Sequence, residues 1–223
     1  MSALTKTKLS LMMFLEFFIW GGWFVTMGTF LSQAFNASGA QLAQAYETQS
    51  IGAIIAPFII GLIADRYFSA QKILGFLHIT GAILLYMAGS SDDFPSFYPF
   101  VLLYMILYMP TLALVNSVAF RQMSDPSKEF PPIRVFGTIG WIVVGLLVTL
   151  MRLTWHTENW EGGSDVLMFA AAASIITGLY CLTLPNTPPV ASQKSPFAFL
   201  EALSLLKDRN FLIFMMASFV VTT

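Results

Sequence analysis

Charged residues are scarce in this sequence of 223 residues: they make up 10% of it, whereas a soluble domain carries about 25%. Hydrophobic residues make up 57%. A chain with so few polar side chains cannot cover a surface that faces water, so the composition predicts a membrane protein. The formal net charge of −1 offers no basic surface for a nucleic acid, and no nucleic-acid partner is expected.

Cysteine and the usual groups of enzyme sites are also nearly absent. Cys181 is the single cysteine and lies in an apolar run, so it has no partner for an intrachain disulfide, and a zinc site would need more ligands. The sequence shows no nucleophile–base pair, no metal-ligating cluster and no phosphate-binding loop. We therefore expect neither an enzyme nor a bound metal or other cofactor.

Long apolar runs, by contrast, are abundant. A membrane-spanning helix needs about 20 predominantly apolar residues, and six runs reach about that length. The predicted spans cover residues 9–31, 43–64, 72–89, 97–120, 133–151 and 165–184. The sequence therefore predicts an all-α membrane protein with a bundle of six transmembrane helices in residues 1–184.

The remainder of the chain is expected to lead into a second bundle. Residues 185–209 read as a polar, proline-rich linker followed by a helix that lies in the membrane interface. Residues 210–223 read as the start of a seventh transmembrane helix, which is too short to span. The pattern favours the first half of a longer protein that is monomeric when complete.

The basic residues predict the orientation of the spans. The chain has 11 lysines and arginines, and with a cytoplasmic N-terminus all of them except Arg152 fall on the inner side. Short cytoplasmic loops of membrane proteins carry an excess of such residues. We therefore expect a multi-pass protein of the cell membrane, in bacteria the inner membrane, whose N-terminus is cytoplasmic.

The start of the fifth span carries a polar face, in the stretch FPPIRVFGTIGW at residues 130–141. Its paired prolines are expected at the first turn of the helix, because a proline in a helix interior removes a hydrogen bond. Arg134, Thr138 and Trp141 then follow at i, i+4 and i+7 and share one face. A cation, a hydroxyl and a large aromatic ring together suit a polar ligand that contains a ring. The alternative is that Arg134 is an anchor whose side chain reaches the membrane surface.

Two titratable residues within the spans are candidates for proton coupling. Glu16 lies roughly 12 Å into the first span, where an ionised carboxylate is so costly that the group is expected to be neutral, paired or facing a wet cavity. His78 in the third span is the second candidate, because imidazole ordinarily exchanges protons near neutral pH. A structural hydrogen bond between helices is the alternative for both. Tyr108 in the fourth span is a candidate ligand-binding residue, or else a bridge between helices.

The loop after the second span holds Asp65 and Arg66, which are expected to form a cytoplasmic latch. Asp65 would lie near the N-terminus of the next helix, where the helix dipole favours a negative charge, and Arg66 could pair with the other half of the protein. The simpler alternative is a basic loop that only fixes topology. Six glycines are predicted to be close-packing sites between helices: Gly21, Gly22, Gly28, Gly137, Gly140 and Gly145.

The motifs of these spans resemble those of bacterial nucleoside:proton symporters, the nucleoside permease branch of the major facilitator superfamily. The resemblance rests on six stretches in chain order: FLEFFIWGGWFVTMGTF, IGAIIAPFIIGLIADR, HITGAILLYMA, YMPTLALVNS, FPPIRVFGTIGW and LTLPNTPP. It implies a twelve-helix fold in which this chain is the N-terminal half, and uptake of nucleosides driven by a proton gradient.

The same resemblance implies a role for the polar face of the fifth span. Arg134, Thr138 and Trp141 match the arginine, threonine and aromatic residue that help to form the nucleoside site of that family. The expected partners are a nucleoside, protons and the lipid bilayer. The alternative is a major facilitator transporter of another small polar solute, such as a sugar.

Overall fold

The structure, a computed structural model, describes residues 1–59, 68–154, 163–189, 205 and 207–222. Within these residues the regular secondary structure is helical. In chain order the helices are α1 (Ala3–Trp23), α2 (Met27–Ala34), α3 (Gly39–Ile59), α4 (Ala70–Gly89), α5 (Phe94–Phe120), α6 (Pro126–Thr154), α7 (Asp165–Cys181) and α8 (Arg209–Thr222).

Four stretches of the described chain are long and apolar enough to cross a membrane. They are Ala3–Ala34, which joins α1 and α2, then α4, α5 and Pro126–Leu153 of α6; α7 is a shorter apolar helix. The predicted second span is described as far as Ile59 and is helical to that point. The prediction of an all-α membrane protein is therefore confirmed. Asp65, Arg66 and most of the predicted interfacial helix lie outside the described residues.

The paired prolines do not start the fifth span, and this prediction was wrong. Pro131 and Pro132 lie inside α6, which begins at Pro126. A proline at the first helical position loses nothing, because the N–H of that residue has no partner within the helix. The carbonyls that Pro131 and Pro132 leave without a helical donor belong to exposed residues, so water can reach them. The start signal was Asp125–Pro126, whose aspartate carbonyl accepts the N–H groups of the first turn.

Other helix ends follow local side-chain chemistry. Ser2 caps α1 by accepting the Thr5 N–H at 3.1 Å. Asp93 caps α5 by accepting the Ser96 N–H at 2.9 Å. The Ser96 hydroxyl, followed by its N–H, holds the pKa of the exposed Asp93 carboxyl below its ordinary value. Beyond α2 the chain turns at Asn36 with φ of 49°, a left-handed conformation that asparagine tolerates.

The helices pack in neighbouring pairs around two apolar clusters. α1 packs against α6 and α7, α4 against α5 and α7, and α3 against α5. On α1, Met13 belongs to one buried cluster and Ile19 to the other. Glu16 lies between these two residues, so a carboxyl group occupies the level of the bundle at which the two apolar clusters meet.

Glycines allow several of these helices to approach closely. A Cβ atom at Gly140 of α6 would collide with the backbone carbonyl of Phe14 in α1, and one at Gly52 of α3 would lie 2.5 Å from the carbonyl oxygen of Met105 in α5. The close-packing prediction was wrong for Gly145, because a Cβ atom there would meet nothing within 4 Å. Spacing in the sequence could not separate Gly140 from Gly145, since the difference lies in the neighbouring helix.

Candidate functional site

The side chain of Arg134 lies at the boundary between α6 and α1. Its guanidinium carbon is 4.1 Å from the centroid of the Phe17 ring, a geometry in which the ring attracts the cation. Gly137 leaves room for this pair, since a Cβ atom there would lie 2.7 Å from both Arg134 Nη1 and Phe17 Cδ2. Arg134 is thus held by α1 while its N–H groups, which point outwards in the plane of the guanidinium, remain able to donate.

Arg134 and Thr138 line one open groove. The groove has a volume of about 490 Å³ and is otherwise lined by Phe130, Pro131 and Val135. Thr138 is exposed and Arg134 is half-buried. The groove therefore presents a cation and a hydroxyl beside apolar walls.

Trp141 lies further along α6 and lines a second groove. This groove has a volume of about 540 Å³, and the other lining residues include Thr26, Thr29 and Thr149. The Trp141 indole packs edge-on against Trp20 of α1, with ring centroids 5.5 Å apart and an interplanar angle of 84°. The structure thus places Arg134 and Trp141 against α1 but gives each a groove of its own.

A ladder of aromatic rings on α1 and its C-cap residue connects these positions. Phe17, Trp20 and Phe24 follow at i, i+3 and i+7, with successive ring centroids 6.1 and 5.8 Å apart. Trp20 also packs against Tyr108 of α5, at 6.1 Å. Its indole N–H is buried, and no acceptor for it lies among the described residues. Sequence reasoning missed Phe17 as a partner of Arg134, although the spacing of the aromatic residues in FLEFFIWGGWF already indicated that they share one side of the helix.

A second polar cluster surrounds Glu16 on another side of α1. Glu16 is 0% exposed and His78 of α4 is 2% exposed. Glu16 Oε2 lies 3.0 Å from His78 Nε2, and Glu16 Oε1 lies 2.5 Å from Thr111 Oγ1 of α5. The two candidates for proton coupling, which are 62 residues apart in the sequence, therefore form one buried pair.

Tyr108 and Ser174 complete this cluster, and both bond to backbone. The Tyr108 hydroxyl is buried and donates to the Glu16 carbonyl oxygen at 2.6 Å. The Ser174 hydroxyl of α7 donates to the His78 carbonyl oxygen at 2.9 Å. Tyr108 therefore lies in the Glu16 cluster and outside the groove of Arg134. Sequence reasoning missed Ser174, because a serine in a small-residue helix gives no signal of its partner.

The two polar groups lie on different sides of the same helix. Glu16 and Phe17 are consecutive in α1: Glu16 faces α4 and α5, whereas Phe17 faces Arg134 of α6. Within the described residues no three histidine, cysteine or acidic side chains are grouped as metal ligands would be. The arrangement provides cation and hydroxyl donors at a groove beside a separate buried acid–imidazole pair.

Known proteins provide the context for this geometry. The sequence model of the family described as nucleoside H+ symporter matches residues 3–223. The chain is 41% identical to the putative nucleoside transporter YegT of Escherichia coli (strain K12) over 219 residues, which are 97% of this chain and 51% of that protein. It is 37% identical to the xanthosine permease of the same organism, over 93% of this chain and 50% of that protein.

A solved structure agrees with these sequence matches. The crystal structure of the nucleoside transporter NupG superimposes with a TM-score of 0.81 at 31% identity, over 97% of this chain and 54% of NupG. The chain spans about half the length of the relatives that it matches. The match covers nearly the whole chain in both sequence and fold, and the expected family is confirmed. The chain belongs to the nucleoside H+ symporter family.

Proposed function

We propose that this chain contributes the N-terminal half of a transporter that couples nucleoside uptake to proton entry across the cell membrane by alternating access. Membership of the family and the names of two relatives, a nucleoside transporter and a xanthosine permease, support this function. The observation that carries it is the position of Arg134, which is held over Phe17 at an open groove that Thr138 shares. An arginine that served only as a lipid anchor would not need this aromatic support.

The chemistry of the groove suits a nucleoside. A guanidinium stacked on an aromatic ring uses its face for that contact, and its N–H edges stay available for ribose hydroxyls or base carbonyls. Thr138 can donate to or accept from a sugar hydroxyl. Trp141, which lines the second groove, offers a ring on which a base or ribose can stack, a contact that contributes about 1–3 kcal/mol in nucleic-acid complexes. Tyr108 is the fourth proposed substrate residue. It is buried outside this groove with its hydroxyl bonded to the Glu16 carbonyl oxygen, so it would act by supporting Trp20, whose ring packs against it.

The remaining parts of the proposal concern the proton carriers, the cytoplasmic latch, the orientation in the membrane and the domain organisation. Glu16 and His78 are our candidate proton carriers, and Asp65 with Arg66 our candidate cytoplasmic latch. The distribution of lysine and arginine supports a cytoplasmic N-terminus. We propose residues 1–184 as the first bundle, 185–209 as the linker and 210–223 as the start of the second bundle of a monomeric transporter.

Uptake by the full-length protein in proteoliposomes tests this function. Labelled uridine and adenosine should accumulate when a proton gradient is imposed, and a protonophore should abolish the accumulation. A panel of nucleosides and sugars, compared by their effect on the melting temperature, tests the substrate class. Absence of uptake for every nucleoside would refute the proposal, and stabilisation by sugars alone would favour the alternative solute.

A further inference from the structure

We infer that Glu16 and His78 form a single proton-binding site that holds one proton in the conformation described here. This inference rests on the proposed function only where it assigns that proton to symport. The site itself follows from the hydrogen bonds of four side chains contributed by α1, α4, α5 and α7.

The contacts of Thr111 favour a proton on Glu16. Thr111 Oγ1 lies 2.5 Å from Glu16 Oε1 and 2.6 Å from the backbone carbonyl oxygen of Tyr108. A carbonyl oxygen can only accept, and a hydroxyl group has one hydrogen to donate. If Thr111 donates to the carbonyl, the short contact with Glu16 requires a hydrogen on the carboxyl group. Both contacts are satisfied when Glu16 is the neutral acid and donates to Thr111.

The bonds of His78 agree with this assignment. A neutral imidazole that carries its hydrogen on Nε2 donates to Glu16 Oε2 at 3.0 Å. Its Nδ1 then carries no hydrogen. The Ser174 hydroxyl lies 3.5 Å from Nδ1 and donates its hydrogen to the His78 carbonyl oxygen. Moving the proton from Glu16 Oε1 to His78 would place it on Nδ1, beside Ser174 Oγ, because Nε2 already carries a hydrogen. The carboxylate–imidazolium pair that results has the same proton count. Both forms carry no net charge, as a buried site requires.

Loss of this proton would leave one uncompensated negative charge on Glu16. Within the part of the chain that the structure describes, the titratable groups that face Glu16 are His78 of α4, Tyr104 and Tyr108 of α5, and Cys181 of α7. From α6, the charged Arg134 lies on the other side, against Phe17. Among the described residues His78 is therefore the basic partner of Glu16. A buried carboxylate without further compensation is costly, so release of the proton requires water to enter when the bundle opens.

Substitution of Glu16 by glutamine tests the inference through transport. The glutamine amide can donate to Thr111 and accept from His78, so E16Q imitates the protonated site permanently. Full-length E16Q in proteoliposomes should lose accumulation driven by a pH gradient, while exchange of nucleoside across the membrane without a gradient persists. E47Q, which alters an exposed acid of α3, is the matched control and should accumulate nucleoside like the wild type. Undiminished accumulation by E16Q would overturn the inference.

Infrared spectroscopy tests the site without a nucleoside. The purified full-length protein should show, near neutral pH, a deuterium-sensitive carbonyl band of a protonated carboxyl group that E16Q lacks and E47Q retains. A band that survives in E16Q would overturn the inference whatever the transport result. If the band belongs to Glu16 and no nucleoside is transported, the proposed function fails and the proton site stands.

A second variant keeps the test valid if E16Q does not fold. H78Q keeps a donor for Glu16 Oε2 but removes the imidazole, so the two groups can no longer share the proton. The pH at which the carboxyl band is half lost should therefore shift relative to the wild type. An unchanged midpoint in H78Q would show that Glu16 titrates alone and would contradict a shared site.

Discussion

Arg134 of α6 and Phe17 of α1 form a cation–aromatic pair, in which the guanidinium carbon lies 4.1 Å from the ring centroid. Such a pair contributes about 0.5–2 kcal/mol, depending on how far it is shielded from water. Gly137 has no Cβ atom, and a Cβ atom at this position would collide with both side chains. The contact holds the cation at the groove, and its N–H groups are the donors that we expect a substrate to use.

Substitution of Arg134 by alanine should weaken nucleoside binding about 10–100-fold, because a hydrogen bond from a charged group contributes about 1.5–3 kcal/mol. R134K should fall between the wild type and R134A, since lysine keeps the charge but not the planar fork of donors. Calorimetric titration of the full-length protein with uridine measures both. K128A is the control, because Lys128 is exposed and pairs with Asp125 at 3.3 Å outside the groove. Unchanged affinity in R134A would make Arg134 a membrane anchor.

Substitution of Phe17 by leucine should lower the affinity about 2–5-fold, because it removes an attraction of about 0.5–1 kcal/mol that positions Arg134. The effect should nearly vanish in an R134A background, since Phe17 would then have no cation to position. A double-mutant cycle measured by the same titration gives this coupling. Equal losses from F17L in the presence and absence of Arg134 would mean that Phe17 acts only through packing.

Substitution of Trp20 by phenylalanine should lower nucleoside affinity about 5–30-fold. The Trp20 N–H is buried without an acceptor among the described residues, beside Tyr108 and Trp141. A substrate carbonyl or ring nitrogen that accepts this N–H would add a hydrogen bond of about 1–2 kcal/mol. The matched control is W23F, because Trp23 lies in the apolar core against Tyr104. W23F should lower the melting temperature but not the affinity; an affinity loss that is equal in both variants would contradict a specific role for Trp20.

The shared side of α6 that carries Arg134, Thr138 and Trp141 could be predicted because helix geometry is local, but the division of these residues between two grooves could not. Residues at i, i+4 and i+7 share a side of any α-helix, whatever surrounds it. The pairing of Glu16 with His78 could not be predicted in this way, because it depends on how α1 packs against α4. The sequence indicated that Glu16 would be neutral, paired or facing a wet cavity, but it did not indicate His78 as its partner.

The paired prolines show a different limit. Proline is unfavourable in a helix interior, which led to the wrong start for the fifth span. The residues around the carbonyls that the prolines leave free are exposed, so the cost is smaller there than within a buried helix. Asp125–Pro126 upstream provides a more favourable start. Whether the paired prolines start the helix or lie inside it depends on how exposed the surrounding residues are. The local sequence alone does not show that exposure.

Substitution of Gly140 by alanine should destabilise the protein by about 1–3 kcal/mol or more, because its Cβ atom would collide with the Phe14 carbonyl and force α1 and α6 apart. G145A is the matched control on the same helix, where a Cβ atom would meet nothing within 4 Å. That change should be neutral or stabilise by up to about 1 kcal/mol, since alanine favours a helix more than glycine does. Melting temperatures in detergent compare them, and similar values for the two variants would contradict the close contact at Gly140.

The segment after α7 is fastened to the start of α4 through Gln71. The Gln71 amide donates to Asn186 Oδ1 at 2.8 Å and accepts the Thr187 N–H at 2.9 Å, while the Ala70 N–H donates to the Thr187 carbonyl oxygen at 2.9 Å. Gln71 and Thr187 are both buried. These bonds give a physical reason for the polar residues of the LTLPNTPP stretch.

Substitution of Gln71 by alanine should therefore destabilise the protein by about 1–3 kcal/mol, since it leaves the buried Thr187 N–H without its acceptor. The melting temperature in detergent should fall, and proteolysis within residues 185–189 should become faster because the segment loses its attachment to α4. Q33A is the control, as Gln33 is exposed on α2 and should leave both measurements unchanged. If Q71A kept the melting temperature and the protease resistance of the wild type, the segment would be held by packing. Its hydrogen bonds to Gln71 would then add no stability beyond that of the hydrogen bonds to water that they replace.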